Sequence, residues 1–354
     1  MNRTPAKPAG KSLDKSAFAA TPNVAAAPAA SPRTAGGLTR RRWLGWALGT
    51  GAASAELASL AGAWDHRAQS QAAASLPAGS PATVPLAAPG PGTAPGSARL
   101  LHIGHCCHLI EIGGQRWLTD PWFFNPAFGS LTHASALRAD AVGPLDGIFI
   151  SHRHPDHFDP SALRQLDRRA QVWTPDESLV PGLRELGFAA VSLSNPWQTL
   201  QLGSLAVSFV PAVHDVPEHS LLLAGADARL LFCGDTGPHD HWAEIRRRYR
   251  PTTALLPCDG TALRWEPRQI MNPSEAARAA VELGCPQILQ THADATYTDP
   301  LARYLLSSTE DSPVARLDRA LQQAGEQAHP GAGSPHFTPL AIGETRPLAP
   351  AASG

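Results

Sequence analysis

From residue 99 onward, short apolar runs alternate with polar breaks marked by glycine and proline. Residues 99–103, 109–112 and 116–119 have the length and apolar content of strands, and Gly113-Gly114 between the last two is a two-residue hairpin turn. Residues 147–150 form an unbroken apolar run, suited to a strand buried on both faces. That run leads directly into Ser151-His152-Arg153-His154-Pro155-Asp156-His157-Phe158-Asp159. Asp159-Pro160 then marks a helix start, with the aspartate as cap and proline in the first turn. Further strands are expected at 171–173, 190–193, 205–210, 221–223, 230–233 and 287–290. Helices are expected within 178–186, over 242–249, and from the Asn272-Pro273-Ser274-Glu275 start to Leu283, before Gly284. This alternation predicts an α/β fold of two sheets with outer helices, its functional loops at the strand ends.

The first 97 residues follow a different pattern. Residues 1–38 are Ala, Pro, Ser and Thr with scattered lysines, a composition that cannot bury enough apolar surface to repay chain ordering, and are expected to be a disordered leader. Thr39-Arg40-Arg41-Arg42-Trp43-Leu44 opens a weakly apolar run to residue 63 broken only by Glu56. Residues 39–63 resemble a twin-arginine export signal, with Trp43 in the usual phenylalanine position and small residues at Ala61-Gly62-Ala63 for cleavage before Trp64. The resemblance implies the twin-arginine export machinery as a partner and a periplasmic or otherwise exported location. The Gly, Ala and Ser content and Glu56 argue against a lasting membrane span. Residues 64–97 read as an Ala/Pro-rich linker, and 98–349 as the folded domain.

Charge sharpens this division. The formal net charge of −1 conceals nine basic and three acidic residues before Ala98, against twenty basic and twenty-seven acidic after it. No lysine follows Lys15, which removes Schiff-base chemistry and a Walker phosphate loop from the body. An acidic body with no basic stripe beyond Arg246-Arg247-Arg248, read as a solvated helix face, gives no footprint for nucleic acid. The five cysteines are too few and too scattered for a disulfide framework, and Cys106-Cys107 reads as buried filler.

The chemistry is concentrated in His152, His154, Asp156 and His157, four electron-pair donors within six positions on a strand-to-helix loop. Imidazole with carboxylate suits zinc, iron or manganese rather than calcium, and the cluster exceeds what one ion needs. His214, Asp235 and His292 each lie just past an expected strand. These motifs, in this order, resemble the metallo-β-lactamase-fold hydrolases over about residues 99–346. Gly104-His105, Leu118-Thr119-Asp120-Pro121 and Gly234-Asp235-Thr236-Gly237 resemble the branch containing ascorbate-6-phosphate lactonases and the N-acyl-phosphatidylethanolamine-hydrolysing phospholipase D.

The resemblance implies a four-layer αββα sandwich holding two zinc ions, with manganese or iron as alternatives. His152, His154 and His214 would hold the first, Asp156, His157 and His292 the second, with Asp235 bridging and Asp156 and Asp235 the catalytic carboxylates. Asp120 would orient a ligand histidine and His105 would lie at the pocket edge. The implied activity is hydrolysis of an ester, lactone or phosphodiester in a small or lipid-like substrate by hydroxide held between the ions. Two divalent ions outweigh the ligand charge, so an anionic substrate fits. The alternative is a redox metalloenzyme of di-iron or persulfide-oxidising type on the same fold. Departures from the branch are Gln269-Ile270-Met271 before the Asn272 helix and Ala293-Asp294-Ala295 after His292. His239 and His241 read as a polar loop before the 242–249 helix, and Trp122, Phe123 and Phe124 as pocket lining or core.

Overall fold

Two seven-stranded mixed sheets stack face to face, each divided into an antiparallel and a parallel half. The computed structural model describes residues 98–123, 130–131, 135–263, 268, 270–296, 306–307, 312–327 and 335–351. The expected leader, export signal and linker, and Phe124, lie outside the described residues.

In the first sheet β1 (Arg99–Gly104), β2 (Cys107–Ile112) and β3 (Gln115–Thr119) form a meander whose second turn is Gly113-Gly114, both at positive φ. β5 (Gly147–Phe149), β6 (Gln171–Thr174) and β7 (Val191–Leu193) then extend it in parallel from β3. In the second, β8 (Thr199–Leu202), β9 (Leu205–Pro211), β10 (His219–Ala224) and β11 (Arg229–Phe232) run antiparallel. There β12 (Thr253–Pro257), β14 (Gln287–Thr291) and β17 (His336–Phe337) continue from β11 in parallel. β18 (Thr345–Pro347) closes the free edge of the first sheet beside β1. The pairs β4 (Ser130–Leu131) with β15 (Ala295–Thr296), and β13 (Ala262–Leu263) with β16 (Leu306–Ser307), are small separate ribbons.

Strand alternation produces the layers. Leu205, Val207 and Phe209 of β9, Leu221 and Leu223 of β10, and Leu230 and Phe232 of β11 point inward against Leu100, Ile110, Trp117 and Phe149 of the facing sheet. Their neighbours point outward: Ile148, Leu109 and Val172 onto Leu163 of α1 (Pro160–Leu163) and Leu183 of α2 (Val180–Glu185). Val210, Leu222, Leu231 and Ile288 pack on α3 (Trp242–Tyr249), α4 (Pro273–Leu283) and α5 (Pro313–Gln327). With helices on both outer faces the central strands are buried twice, hence their continuous apolar runs. The result is the expected αββα sandwich.

The helix starts follow their local signals. Asp159 Oδ1 accepts from the backbone N–H of Ser161 (2.8 Å) and Ala162 (3.2 Å), and Asn272 with Glu275 forms a reciprocal capping box closed at the far end by Gly284 at φ +57°. The sequence pattern does not mark β8, β12, β17, β18 or α5. β8 and β18 are edge strands with half-polar faces, and β12 is only five residues long.

Gly147 is fixed by sterics. It pairs with Trp117 across β3 and β5, and a Cβ there would lie 2.6 Å from the indole ring, which is fully buried between the sheets. Gly147→Ala is therefore expected to lower the free energy of unfolding by about 2 kcal/mol, the cost of an overpacked core. Urea denaturation of wild type and variant checks this, and equal midpoints would contradict it.

Candidate metal centre

Strands that run in one direction in both sheets all end at the same edge. His105 lies one residue beyond β1, Asp120 one beyond β3, and His292 one beyond β14. Asp259 is two beyond β12, while His152, His214 and Asp235 are three beyond β5, β9 and β11. A side chain so close to a hydrogen-bonded strand is held stiffly, and the region outside the strand ends is where sheets of this kind place their binding groups. His105, Asp120 and His292 have positive φ (55°, 34° and 50°), the sparsely populated conformation that clusters at functional sites.

Two groups of donors lie side by side at this edge. In the first, one donor atom from each of His152, His154, His214 and Asp235 lies within 4.8 Å of the others. His154 Nδ1 is 3.0 Å from His152 Nε2 and 3.1 Å from His214 Nε2. Ser151 Oγ donates to Asp120 Oδ2 (2.8 Å) and so accepts from His152 Nδ1 (2.9 Å), leaving the Nε2 lone pair facing the cluster. Three nitrogens converging in this way are close to the ~3.3 Å edge of a tetrahedron of metal–nitrogen bonds about 2.0–2.1 Å long. The donor set fits a cation.

The second group contains His105, Asp156, His157 and His292, again with one donor atom each within 4.8 Å. His157 Nδ1 is hydrogen-bonded to Asp120 Oδ2 at 2.7 Å, while its buried Nε2 has no hydrogen-bond partner. His292 Nδ1 lies 3.1 Å from Asp259 Oδ2. Asp235 Oδ2 stands between the groups, 3.1 Å from Nε2 of both His157 and His292 and 3.8 Å from His152 Nε2. The structure thus brings together all seven residues expected to hold metal. Asp120 is buried behind His157, and its carboxylate also accepts from the Ser151 backbone N–H at 2.7 Å. His105 is fully buried, with one donor atom within 4.8 Å of those of Asp156, His157 and His292.

Electrostatics follow from this crowding. Burial would neutralise Asp156 and Asp235, yet the neighbouring imidazoles hold both carboxyls well below their usual range. Burial likewise opposes charge on His157 and His292, but the surrounding aspartates raise both. Burial, with His154 beside it, lowers His214 to about 4 against the opposing pull of Asp235 and Asp215.

Sequence patterns did not reveal Ser151, Glu218 and Asp259. Glu218 is buried, accepts from the Asp235 backbone N–H at 2.7 Å, and lies 3.5 Å from His152 Nδ1 and 3.9 Å from His214 Nδ1. Burial and the nearby Asp235 push its carboxyl well above the usual range. Asp259 receives the backbone N–H and hydroxyl of Thr261 (3.0 and 2.7 Å), which fixes it beneath His292. Its position past a strand end is a usable signal only once β12, five residues long, is recognised as a strand.

Other features fall into place. Cys106 and Cys107 are fully buried. Trp122 is buried with its ring edge-on to His105. His239 stacks on Trp242 in the loop that opens α3, and Arg246, Arg247 and Arg248 are exposed.

The sequence profile of the beta-lactamase superfamily domain matches residues 115–293. The chain belongs to the metallo-β-lactamase superfamily. It is a metal-dependent hydrolase by kinship: a UPF0173 metal-dependent hydrolase of Aeropyrum pernix is 30% identical over 204 residues, covering 52% of this chain and 78% of the relative. The N-acyl-phosphatidylethanolamine-hydrolyzing phospholipase D of Saccharomyces cerevisiae is 28% identical over 217 residues, covering 54% of this chain and 46% of that protein. An isothiocyanate hydrolase from Delia radicum gut bacteria shares the fold, with a TM-score of 0.58, 15% identity, and coverage of 71% and 99% of the two chains.

Residues that hold ligand histidines in orientation affect metal affinity about 10–100-fold in such sites. Asp259→Asn is expected to weaken uptake of one metal equivalent by that range and leave the other unchanged. Competition titration against a chromophoric chelator checks this, and two unaltered affinities would contradict it.

Proposed function

We propose that the chain is a dinuclear hydrolase cleaving an ester, lactone or phosphodiester in a small or lipid-like anionic substrate, with zinc in both positions. The observation that carries this reading is Asp235 Oδ2, placed between two separate donor groups and within 3.1 Å of two histidine nitrogens of the second. His152, His154 and His214 would hold one ion, Asp156, His157 and His292 the other, and Asp235 both. When bound, the ions supply a water of lowered pKa and polarise the oxygen that gains charge.

The protein's own groups support attack by water rather than by a side chain. Burial, with Asp235 beside it, raises the Cys106 thiol well above its usual range, and a thiol is not a nucleophile. No lysine lies in the body. Asp156 is the more open of the two ionised carboxylates facing the donors, with 29% side-chain exposure against 3% for Asp235. It stands where a proton leaving the cleft can be received. The yeast relative's named substrate supports keeping a phosphodiester in the set.

The experiment is a screen of metal-loaded protein against phosphodiesters, lactones, thioesters and N-acyl phospholipids. Asp235→Asn is expected to lower kcat/KM on the best substrate at least ~1000-fold, the scale of several kcal/mol lost from the transition state. A folded, metal-free wild type, or an Asp235→Asn variant with full activity, would sink the reading.

We also propose export through the twin-arginine machinery to the periplasm, supported by Thr39-Arg40-Arg41-Arg42-Trp43-Leu44 ahead of its apolar run. Among the described residues no helix is long and apolar enough to cross a membrane. Fractionation of cells expressing the chain should find the wild type outside the cytoplasm and the double variant Arg40→Lys, Arg41→Lys retained within it; equal distribution of the two would contradict export by this route.

A further inference from the structure

His105 has a placement that packing alone does not explain. It is fully buried, adopts φ +55°, and neither of its ring nitrogens has a hydrogen-bond partner. A buried polar atom without a partner carries a desolvation cost that an apolar side chain of the same size would avoid. The ring is hemmed in on several sides: His292 lies 4.0 Å away between centroids, Trp122 is edge-on at 5.2 Å and His157 at 5.8 Å. Its Nε2 is 3.3 Å from Asp156 Oδ2 but lacks the alignment of a hydrogen bond. One donor atom of His105 lies within 4.8 Å of one from each of Asp156, His157 and His292.

We propose that His105 is a fourth protein ligand, beside Asp156, His157 and His292, of the second metal position. This rests on the dinuclear reading above and sharpens it. With Asp235 shared, the second position has five protein donors and the first has four. The two positions are then chemically unequal. The fuller set suits the five-coordinate state that zinc can also take, whereas four donors including three imidazoles match its tetrahedral preference. A neutral imidazole supplies the lone pair this role needs, and the left-handed backbone after Gly104 is what turns the ring inward.

The test uses the full chain, stripped of metal and titrated with cadmium-113 after labelling its histidines with nitrogen-15. In the wild type two equivalents should bind, and six imidazole rings should show cadmium–nitrogen coupling: His105, His152, His154, His157, His214 and His292. His105→Asn keeps a residue that tolerates positive φ but removes the imidazole. It should bind the first equivalent within twofold of wild type and the second at least ~100-fold more weakly, beyond the usual effect of residues that only orient a ligand. Two equivalents with five coupled rings in the wild type, His105 being the silent one, would overturn the proposal without requiring the variant to fold. So would a folded His105→Asn that binds both equivalents as tightly as wild type. A wild type that binds fewer than two equivalents would overturn the dinuclear reading itself, and this assignment with it.

Discussion

Lone pairs and carboxylate oxygens held about 3 Å apart inside a protein repel one another unless something positive lies between them. His152, His154 and His214 converge in this way, whereas Asp235 faces His157 and His292 as an ion-pair partner that favours charge on both rings. Removing such groups from water is costly, and a cation that all of them share is the economical remedy. The requirement reaches outward, because each converging ring must have its other nitrogen committed. Asp120 and Ser151 do this for His157 and His152, and Asp259 lies behind His292. The carboxylates behind the rings are therefore as much a part of the centre as the rings themselves.

The fold meets the requirement through direction. Strands β1, β3, β5, β9, β11, β12 and β14 end at one edge of the sandwich, and each delivers a site residue within three positions of its end. The inward side chains that join the sheets, Trp117, Phe149, Phe209 and Phe232 among them, keep the two edges in register. Neither sheet contains a complete donor group. The first supplies His152, His154, Asp156 and His157, and the second His214, Asp235 and His292. Closing the interior between the sheets is thus what assembles the centre.

How much of this was legible depends on how local each signal is. The four donors on the loop after β5 announce themselves because six consecutive positions contain them all, and Gly113-Gly114, Asp159-Pro160 and Asn272-Pro273-Ser274-Glu275 each specify a turn or cap within a few residues. Asp259 was hidden because β12 offers only Ala254, Leu255 and Leu256 between polar or proline neighbours, too short a run to identify without its sheet partners. Glu218 was hidden because its role exists only through contacts with Asp235, His152 and His214, which converge from separate loops. The burial of His105 was hidden for the same reason: its surroundings are Trp122, Asp156, His157 and His292, and only the folded edge brings them together.

The stretch after His292 shows how a departure from a family pattern acquires meaning in three dimensions. As sequence, Ala293-Asp294-Ala295 is only a difference next to His292. In the fold, Asp294 Oδ2 lies 2.6 Å from His102 Nε2, His102 Nδ1 lies 3.1 Å from His108 Nδ1, and His108 Nε2 lies 3.0 Å from Thr291 Oγ1. The chain of contacts leaves residue 294, passes through two fully buried histidines on β1 and β2, and returns at residue 291, enclosing His292 between its ends. Burial, with His102 beside it, lowers His108 well below the usual imidazole range, so its ring is neutral and serves one neighbour as donor and the other as acceptor. His292 adopts an unfavourable positive φ, and such a residue persists only where its surroundings over-determine it. The bracket from Asp294 to Thr291 provides that restraint from the first sheet, while Asp259 provides it from the second. The substitution that weakens the sequence resemblance here is therefore part of what holds His292 in place.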